Sequence, residues 1–292
     1  MTEYHRQLFE IKKKLLVNKT YAMKLLRSTI LQYQKACPHC GILGHKNRHH
    51  TDHRGVHTFL CTACTKTYSE LTGTLFFRSK ISLSKWCLAL LTWCNTTGSA
   101  SAAHIAREVA ISHAAAWHLL MKLRTYFAHQ MYQDSLLTGL LEADEACFSK
   151  KENKQWVFGV VERGKTRKRL RLLFIPDRSE PVIATALQAT TKPGGILCTY
   201  SWPAYDHTSI WYTHIRVNHS NHEFARDGYT SNHVEIVWGR IKGVLRTIHH
   251  GVTKRYLFHY LAEFCYSYEH KHSPNSFFTL LKNLFSPTYC LI

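Results

Sequence analysis

Cys37-Pro38-His39-Cys40 and Cys61-Thr62-Ala63-Cys64 are two short cysteine pairs near the start of this chain, separated by residues 41–60. Zinc prefers four tetrahedral ligands, and each C-x-x-C turn can present two thiolates to one ion while backbone N–H groups support the sulfurs. A segment too small to build its own core can then be folded by the metal. The spacing therefore predicts a structural zinc site made by Cys37, Cys40, Cys61 and Cys64, within a zinc ribbon over residues 37–68.

Other histidines and cysteines could in principle compete for this site. The segment between the two pairs holds five histidines, namely His45, His49, His50, His53 and His57. Because a structural zinc site closes at four ligands, we interpret all five as surface residues. The remaining cysteines are scattered and mostly embedded in apolar surroundings, which indicates reduced core residues and not a disulfide framework.

The composition indicates an anionic partner. The chain has 292 residues, of which 45% are hydrophobic, and 38 Lys and Arg against 19 Asp and Glu give a formal net charge of +19. A chain of this length can form more than one domain. Its excess of positive charge most commonly binds a polyphosphate backbone, and a membrane surface is the competing partner. The sequence has no apolar run long enough to span a bilayer, and residues 1–14 lack the apolar centre of a signal peptide. We therefore expect an intracellular, DNA-associated protein, in the bacterial cytoplasm or in the nucleus of a eukaryotic host.

Helical patterns lie on both sides of the ribbon. Residues 1–36 carry apolar positions at helical spacing among lysines and predict two helices, whose basic faces either touch nucleic acid or are simply solvated. Residues 69–134 are predicted to be helical after a short turn, and Ser101 to Leu123 has the arrangement of a helix-turn-helix. In that motif Ser112 and His113 would lead the recognition helix into a DNA groove. The alternative is an ordinary helical hairpin in a core.

The remaining stretch, residues 135–292, alternates strands and helices. Strands are predicted at residues 140–145, 155–162, 169–175 and 196–200, and helices at 181–190, 230–248 and 254–270. Three strands, a helix, a strand and then helices form the skeleton of a ribonuclease H-like domain, which can bury both faces of its sheet. The sequence thus predicts a multi-domain α/β protein with an N-terminal zinc ribbon, a helical segment with a helix-turn-helix and a ribonuclease H-like domain.

Seven motifs in register point to one family. They are the ribbon, the Tyr68 to Thr74 stretch with Trp86, the helix-turn-helix ending in Ala116-Trp117, Glu142-Ala143-Asp144-Glu145, Phe158 to Arg163, Trp202-Pro203-Ala204-Tyr205, and Asn232-His233-Val234-Glu235 through Trp238 and Lys242. In this order the chain resembles the zinc-ribbon DDE transposases of bacterial insertion sequences that are related to eukaryotic Merlin elements. The resemblance runs from about Cys37 to Glu269.

The resemblance implies DNA cleavage and strand transfer at terminal inverted repeats, with catalytic Mg²⁺ held by carboxylates. Asp144 matches the family's first acid and Glu235 its third, so both are expected to be catalytic Mg²⁺ ligands. Lys242 matches a basic residue seven positions after Glu235, two turns along the same helical face, and could hold a phosphate or the DNA end. A homodimer on DNA is left open.

The family's second acid is replaced by Tyr200, within Thr199-Tyr200-Ser201-Trp202. A neutral phenol is a poor Mg²⁺ ligand at neutral pH, and its ring occupies space that a metal would need. Asp206 is the candidate substitute, although it lies six residues later, beyond Pro203. Glu142 and Glu145 are expected to be structural or peripheral.

Three classes of function follow. The first is an insertion-sequence transposase whose catalytic centre is impaired in this copy or rebuilt around another acid. The second is a domesticated protein that binds DNA without cutting it. The third is a zinc-dependent transcription regulator unrelated to transposition.

Overall fold

The computed structural model describes residues 3–18, 20–29, 36–44, 46–96, 98–133, 135–148, 154–164, 168–217, 229–271 and 275–284. The chain forms two compact units, one made of residues 1–123 with 273–292 and the other of residues 124–272. These units group the chain more coarsely than the four predicted stretches. They also assign the last described helix to the unit of the N-terminal helices and not to the unit that holds residues 135–272.

The described secondary structure is numbered in chain order. The helices are α1 (Glu3–Val17), α2 (Tyr21–Thr29), α3 (Leu83–Asn95), α4 (Ala102–Val109), α5 (His113–Gln133), α6 (Glu180–Thr190), α7 (Asn232–Thr247), α8 (Lys254–His270) and α9 (Ser276–Asn283), with a 3₁₀ helix at Pro203–Ile210. The strands are β1 (Lys46–Thr51), β2 (His57–Cys61), β3 (Thr67–Ser69), β4 (Leu140–Cys147), β5 (Trp156–Arg163), β6 (Lys168–Ile175), β7 (Ile196–Tyr200) and β8 (Thr213–Val217).

Helix α3 is the centre of the first unit. It is apolar on almost every side, which is the pattern of a fully buried helix, and it contacts α1, α2, α4 and α9. Trp86, Leu90 and Trp93 are all buried within it. The side chain of Ser82 accepts a hydrogen bond from the backbone N–H of Lys85 and so begins the helix.

The ribbon is a three-stranded antiparallel sheet in the order β1-β2-β3. Strand β1 is exposed along its whole length and has an irregular register between Arg48 and His50. Of the ribbon histidines, His45 lies outside the described residues, and His49, His50 and His53 are exposed.

The helix-turn-helix prediction falls on α4 and α5, which are joined by residues 110–112. Ser101 caps α4 by accepting from the N–H of His104 at 3.1 Å, and Ala110 ends it with a left-handed φ of 53°. Lys85 Nζ donates to the carbonyl of Ala110 at 2.7 Å and so ties the turn to α3. Two helices and a tight turn are therefore present, while their use in DNA recognition stays a prediction.

The second unit is a mixed α/β layer structure built on one five-stranded sheet, in the order β6-β5-β4-β7-β8. Strands β4, β5 and β6 pair in antiparallel fashion, whereas β4, β7 and β8 run parallel. One face packs on α6 and the 3₁₀ helix through residues such as Ile183, Leu187 and Tyr205. The other face packs on α7 and α8 through Val237, Trp238 and Leu261. The central strands are thus covered on both sides.

Every strand and helix predicted from residue 140 to 270 is found, with ends shifted by a few residues. Strand β8 was not predicted, because it is a short edge strand whose His214 and Arg216 interrupt the apolar pattern. Helix α9 was also not predicted. Within the described part of the chain, no helix combines the length and the apolar content needed to cross a membrane.

Candidate functional site

The four predicted zinc ligands form one cluster. The Sγ atoms of Cys37, Cys40, Cys61 and Cys64 all lie within 4.8 Å of one another. Cys37 and Cys64 are separated by 3.8 Å between sulfurs, as are Cys40 and Cys61. A tetrahedral ion with Zn–S bonds of about 2.3 Å places its sulfurs about 3.8 Å apart, whereas a disulfide needs about 2.05 Å. The spacing of the thiols therefore fits a metal ion and not two disulfides.

Each cysteine pair sits on a turn closed by the backbone. The N–H of Gly41 donates to the carbonyl of Cys37 at 2.8 Å, and the N–H of Thr65 donates in the same way to Cys61 at 2.9 Å. Hydrogen bonds from the backbone N–H groups of Cys64 and Ala63 lower the pKa of the Cys61 thiol to about 7. The second turn thus favours the thiolate form of Cys61, which a metal requires.

The acidic site lies toward the carboxyl ends of β4 and β7, two neighbouring strands inside the five-stranded sheet. We call this end of the sheet the acidic edge. Glu142 of β4 is in register with Cys198 of β7, and the two strands are parallel. Asp144 and Tyr200 each lie two residues further along, so Asp144 comes beside Tyr200, the last residue of β7, while β4 continues to Cys147. Because side chains alternate along a strand, both project to the same face as Glu142, which is the face that α7 covers.

Trp238 of α7 holds the Asp144 carboxylate. Its indole Nε1 donates to Asp144 Oδ2 at 3.0 Å. The ring reaches this point because Gly159, which is opposite Asp144 on β5, has no side chain. A Cβ at Gly159 would lie 2.5 Å from Trp238 Cζ2, so any other residue would displace the ring.

Glu142 joins strand β4 to the beginning of α7. Its carboxylate is fully buried, at 0% exposure, and accepts from the backbone N–H groups of His233 at 2.7 Å and Val234 at 3.3 Å. Its other oxygen bonds His233 Nδ1 at 2.8 Å and is paired with Arg163 Nη1 at 3.3 Å. The helix N-terminus carries partial positive charge and unsatisfied N–H groups, both of which a carboxylate stabilises. Glu142 therefore fixes the turn of helix that carries Glu235.

Glu235 and Lys242 extend from α7 toward this edge. Both are exposed. Partial burial and then the negative charges of Asp144 and Glu142 raise the pKa of Glu235, so the acids are within electrostatic reach of each other. Lys242 Nζ lies 5.8 Å from the ring centre of Phe148, and its charge acts on Asp144. The structure thus brings the four sequence-predicted residues, Asp144, Tyr200, Glu235 and Lys242, to one region.

Asp144 titrates at a higher pH than an ordinary aspartate, with its pKa raised by burial. Burial raises the pKa of this carboxyl group, against hydrogen bonds from the Glu145 backbone and Trp238 and the positive charges of Lys242 and Arg178. A nearby cation would offset that cost, since it favours the ionised form.

Asp206 lies on the 3₁₀ helix, where it forms an ion pair away from Asp144. Its Oδ1 is paired with Arg216 Nη1 at 2.9 Å. Arg216 also contacts His214, which bonds Thr199 Oγ1 on the sheet face covered by α6. This face is opposite to that of Asp144.

Glu145 likewise faces the α6 side. Its Oε1 accepts a hydrogen bond from the hydroxyl of the buried Tyr205. Burial raises its pKa to about 7, with a further contribution from the charge of Asp144.

The carboxylates of this site are of the type that Mg²⁺ prefers. This ion is usually bound by one or two carboxylates, with waters and substrate phosphates completing its octahedron. Asp144 and Glu235 can supply two carboxylates whose raised pKa values a cation would lower, so they fit one ion. Tyr200 offers a phenol where a second ion would need a carboxylate.

Sequence reasoning gave no role to three residues that shape this site, namely Trp238, Gly159 and Arg178. Trp238 and Gly159 stand inside the motifs that carry the family resemblance, which was the available signal. Arg178 belongs to none of these motifs, and its proximity to the acids arises only from the fold.

A family model described as an ISXO2-like transposase domain matches residues 139–269. No curated protein matches the chain. Among solved structures, the chain is similar to the HTLV-2 integrase catalytic core domain in complex with magnesium, at 15% identity and a TM-score of 0.31, over 45% of this chain and 85% of that one. It is also similar to a chain of the simian T-cell lymphotropic virus intasome in complex with PP2A regulatory subunit B56 gamma, at 11% identity and a TM-score of 0.32, over 60% and 72%. These TM-scores are too low to establish a shared fold.

The matched segment contains Asp144, Tyr200, Glu235 and Lys242 and agrees with the family that the sequence motifs indicated. The four-cysteine cluster precedes it in the chain, as that resemblance requires. Residues 139–269 are accordingly similar to the ISXO2-like transposase domain.

Proposed function

We propose that this chain is a DNA-binding transposase of an insertion sequence, with a ribonuclease H-like catalytic domain whose strand-cutting centre is impaired in this copy. The observation that carries the proposal is the register of β4 with β7, which puts Asp144 and Tyr200 on neighbouring parallel strands, on the sheet face covered by the helix that bears Glu235. The transposase-domain match over the same residues supports it.

The chemistry assigned to this edge is phosphodiester cleavage and strand transfer. The oxygen of a water or of a 3′-hydroxyl forms a bond to phosphorus, and the bond from phosphorus to the leaving oxygen breaks, in line with the attack. Asp144 and Glu235 would hold Mg²⁺, which stabilises the charge that develops on the attacking and leaving oxygens. Trp238 fixes the Asp144 carboxylate, and Lys242 adds positive charge beside it for a phosphate.

Tyr200 is the reason for proposing impairment. A phenol is a weaker ligand for Mg²⁺ than a carboxylate. The ion pair of Asp206 with Arg216, on the other face, argues against replacement by that acid. The loss of several kcal/mol of transition-state stabilisation slows a reaction by factors of thousands.

The first test compares the unmodified protein with Tyr200→Asp, using duplex DNA that carries the element's own ends and either Mg²⁺ or Mn²⁺. We expect nicking to appear or to rise by roughly a thousandfold in Tyr200→Asp, and to vanish when Asp144→Ala is added. Robust nicking by the unmodified protein that is lost in Asp144→Ala alone would show the Tyr200 interpretation to be wrong.

A non-cleaving DNA-binding role is the second candidate, and the substitution at Tyr200 together with the net charge of +19 favours it. The exposed Ser112 and His113 at the start of α5 are its proposed DNA contacts. Affinity for the element's ends should fall steeply with salt, because each neutralised phosphate releases counterions. His113→Ala should reduce sequence discrimination more than non-specific affinity. Equal binding to all sequences before and after this change would refute the recognition-helix assignment.

A further inference from the structure

An arginine lies over two tryptophan rings at the same edge of the sheet as Asp144. The Cζ atom of Arg178 is 4.3 Å from the ring centre of Trp156 and 4.6 Å from that of Trp202. The indole Nε1 of Trp202 donates to the carbonyl of Arg178 at 3.4 Å. We call Trp156, Arg178 and Trp202 the indole–arginine stack.

The topology explains why these three residues lie at the same end of the sheet. Strands β4, β6 and β7 end at this edge and β5 begins there, because β5 runs antiparallel to β4 and β6 while β7 runs parallel to β4. Trp156 is the first residue of β5, Arg178 follows the end of β6 by three residues, and Trp202 follows Tyr200 by two. The positive charge of Arg178 acts on both Asp144 and Glu145.

The stack has the chemical parts of a nucleotide site. Trp202 is a large apolar side chain that is nevertheless 40% exposed. Only its indole N–H is hydrogen-bonded to the backbone of Arg178 in the contacts described above. An exposed indole offers a flat apolar face on which a base can stack, and a guanidinium nearby attracts the phosphate of the same nucleotide. A paired base in a duplex is already stacked on its neighbours, so the site favours an unpaired one.

We propose that the indole–arginine stack binds an unpaired nucleotide of the DNA substrate, with the base on Trp202 and the phosphate beside Arg178. This inference rests on the proposed function, since it assigns a substrate feature to the same catalytic edge. It makes a DNA end with an unpaired strand, and not a continuous duplex, the form held next to Asp144.

The test measures binding of a short fluorescein-labelled single strand, and of the duplex of the same sequence, by fluorescence anisotropy without Mg²⁺. Trp202→Ala should weaken single-strand binding by roughly tenfold or more, the effect of losing one base–aromatic stack. Its affinity for the duplex should change little. Trp202→Phe should retain most of the single-strand affinity because it keeps an aromatic face.

Ile210→Ala is the matched control, because Ile210 ends the 3₁₀ helix that Trp202 precedes and is 72% exposed. This variant should bind both DNA forms like the unmodified protein. Unchanged single-strand binding in Trp202→Ala, or an equal loss in Ile210→Ala, would overturn the proposal. Neither result depends on nicking, so failure of the stack and failure of the Tyr200→Asp test are separate outcomes.

Discussion

The four-cysteine cluster and the acidic sheet edge are assembled in different ways. In the cluster, each pair of ligands belongs to one short turn, and the backbone of that turn closes it. At the acidic edge, Asp144 and Glu235 come from a strand and a distant helix, which are joined by Glu142 and Trp238. A site built from local turns can be recognised from a short sequence motif. A site built from distant elements also depends on residues that do not themselves bind the ligand.

Removing two sulfurs should produce the largest effect. Cys61→Ser with Cys64→Ser leaves two ligands, and structural zinc sites of this kind contribute about 10–16 kcal/mol of apparent binding and folding free energy. We expect metal analysis to find about one zinc per chain in the unmodified protein and none in the variant. Cys147→Ser, which lies in the second unit, should keep its zinc. Full zinc content in the double variant would exclude the four-cysteine site.

Among the residues of the acidic edge, Glu142 should contribute the most to the stability of the fold. Glu142→Ala removes the acceptor for two N–H groups of α7 and leaves Arg163 without its buried partner, which should cost about 3–5 kcal/mol. The urea midpoint should fall, and hydrogen exchange should speed up across Asn232–Thr247. Glu162→Ala is the control, since Glu162 is a less buried acid paired with Arg169 at 3.4 Å. An equal loss in both variants would argue against a specific role of Glu142 in holding α7.

Glu145 should make the stability of the second unit depend on pH. Its pKa is raised from 4.5 to about 7 in the folded chain, so its contribution to stability is fully present below about 4.5 and is lost as the pH rises to about 7. The loss is roughly 3 kcal/mol. Glu145→Gln stays neutral and can still accept from Tyr205, so it should be more stable than the unmodified protein at about pH 8 and similar at about pH 4. Parallel stability curves for the two proteins across this range would contradict the assignment.

Substitutions that change the backbone strain of the two cysteine turns should have the smallest effect. Gly41 and Thr65 occupy equivalent positions with φ of 73° and 57°, and a β-branched residue is strained there. Thr65→Gly should therefore stabilise the ribbon by about 1 kcal/mol and raise zinc affinity about fivefold. Gly41→Thr should have the opposite effect, as measured by competition with a chelator. A loss of affinity in Thr65→Gly would show that the Thr65 side chain contributes more than its backbone strain costs.

The four-cysteine cluster could be predicted because its information is local. Two C-x-x-C turns at a suitable separation specify ligand type, number and geometry together. Most strands and helices of the second unit were also predictable, since β5 is an almost continuous apolar run and α7 and α8 have helical periodicity. Strand β8 could not be predicted from the sequence, because an edge strand needs few apolar residues. Its pairing with β7 depends on the tertiary structure of the sheet.

The sequence by itself determined the cysteine turns, the order of the elements and the tyrosine where the resemblance implies an acid, because each depends on residues close together in the chain. Only the tertiary structure decided that Glu142 is bonded to the first turn of α7, that Asp206 is paired on the opposite face, and that Arg178 lies over Trp156 and Trp202. The contacts of Glu142 and Arg178 join residues far apart in sequence, while Asp206 and Arg216 belong to two neighbouring elements. Strand order and helix packing set all of these distances. No spacing rule contains that information, since parallel strands and a covering helix can bring any of several charged residues to the same edge.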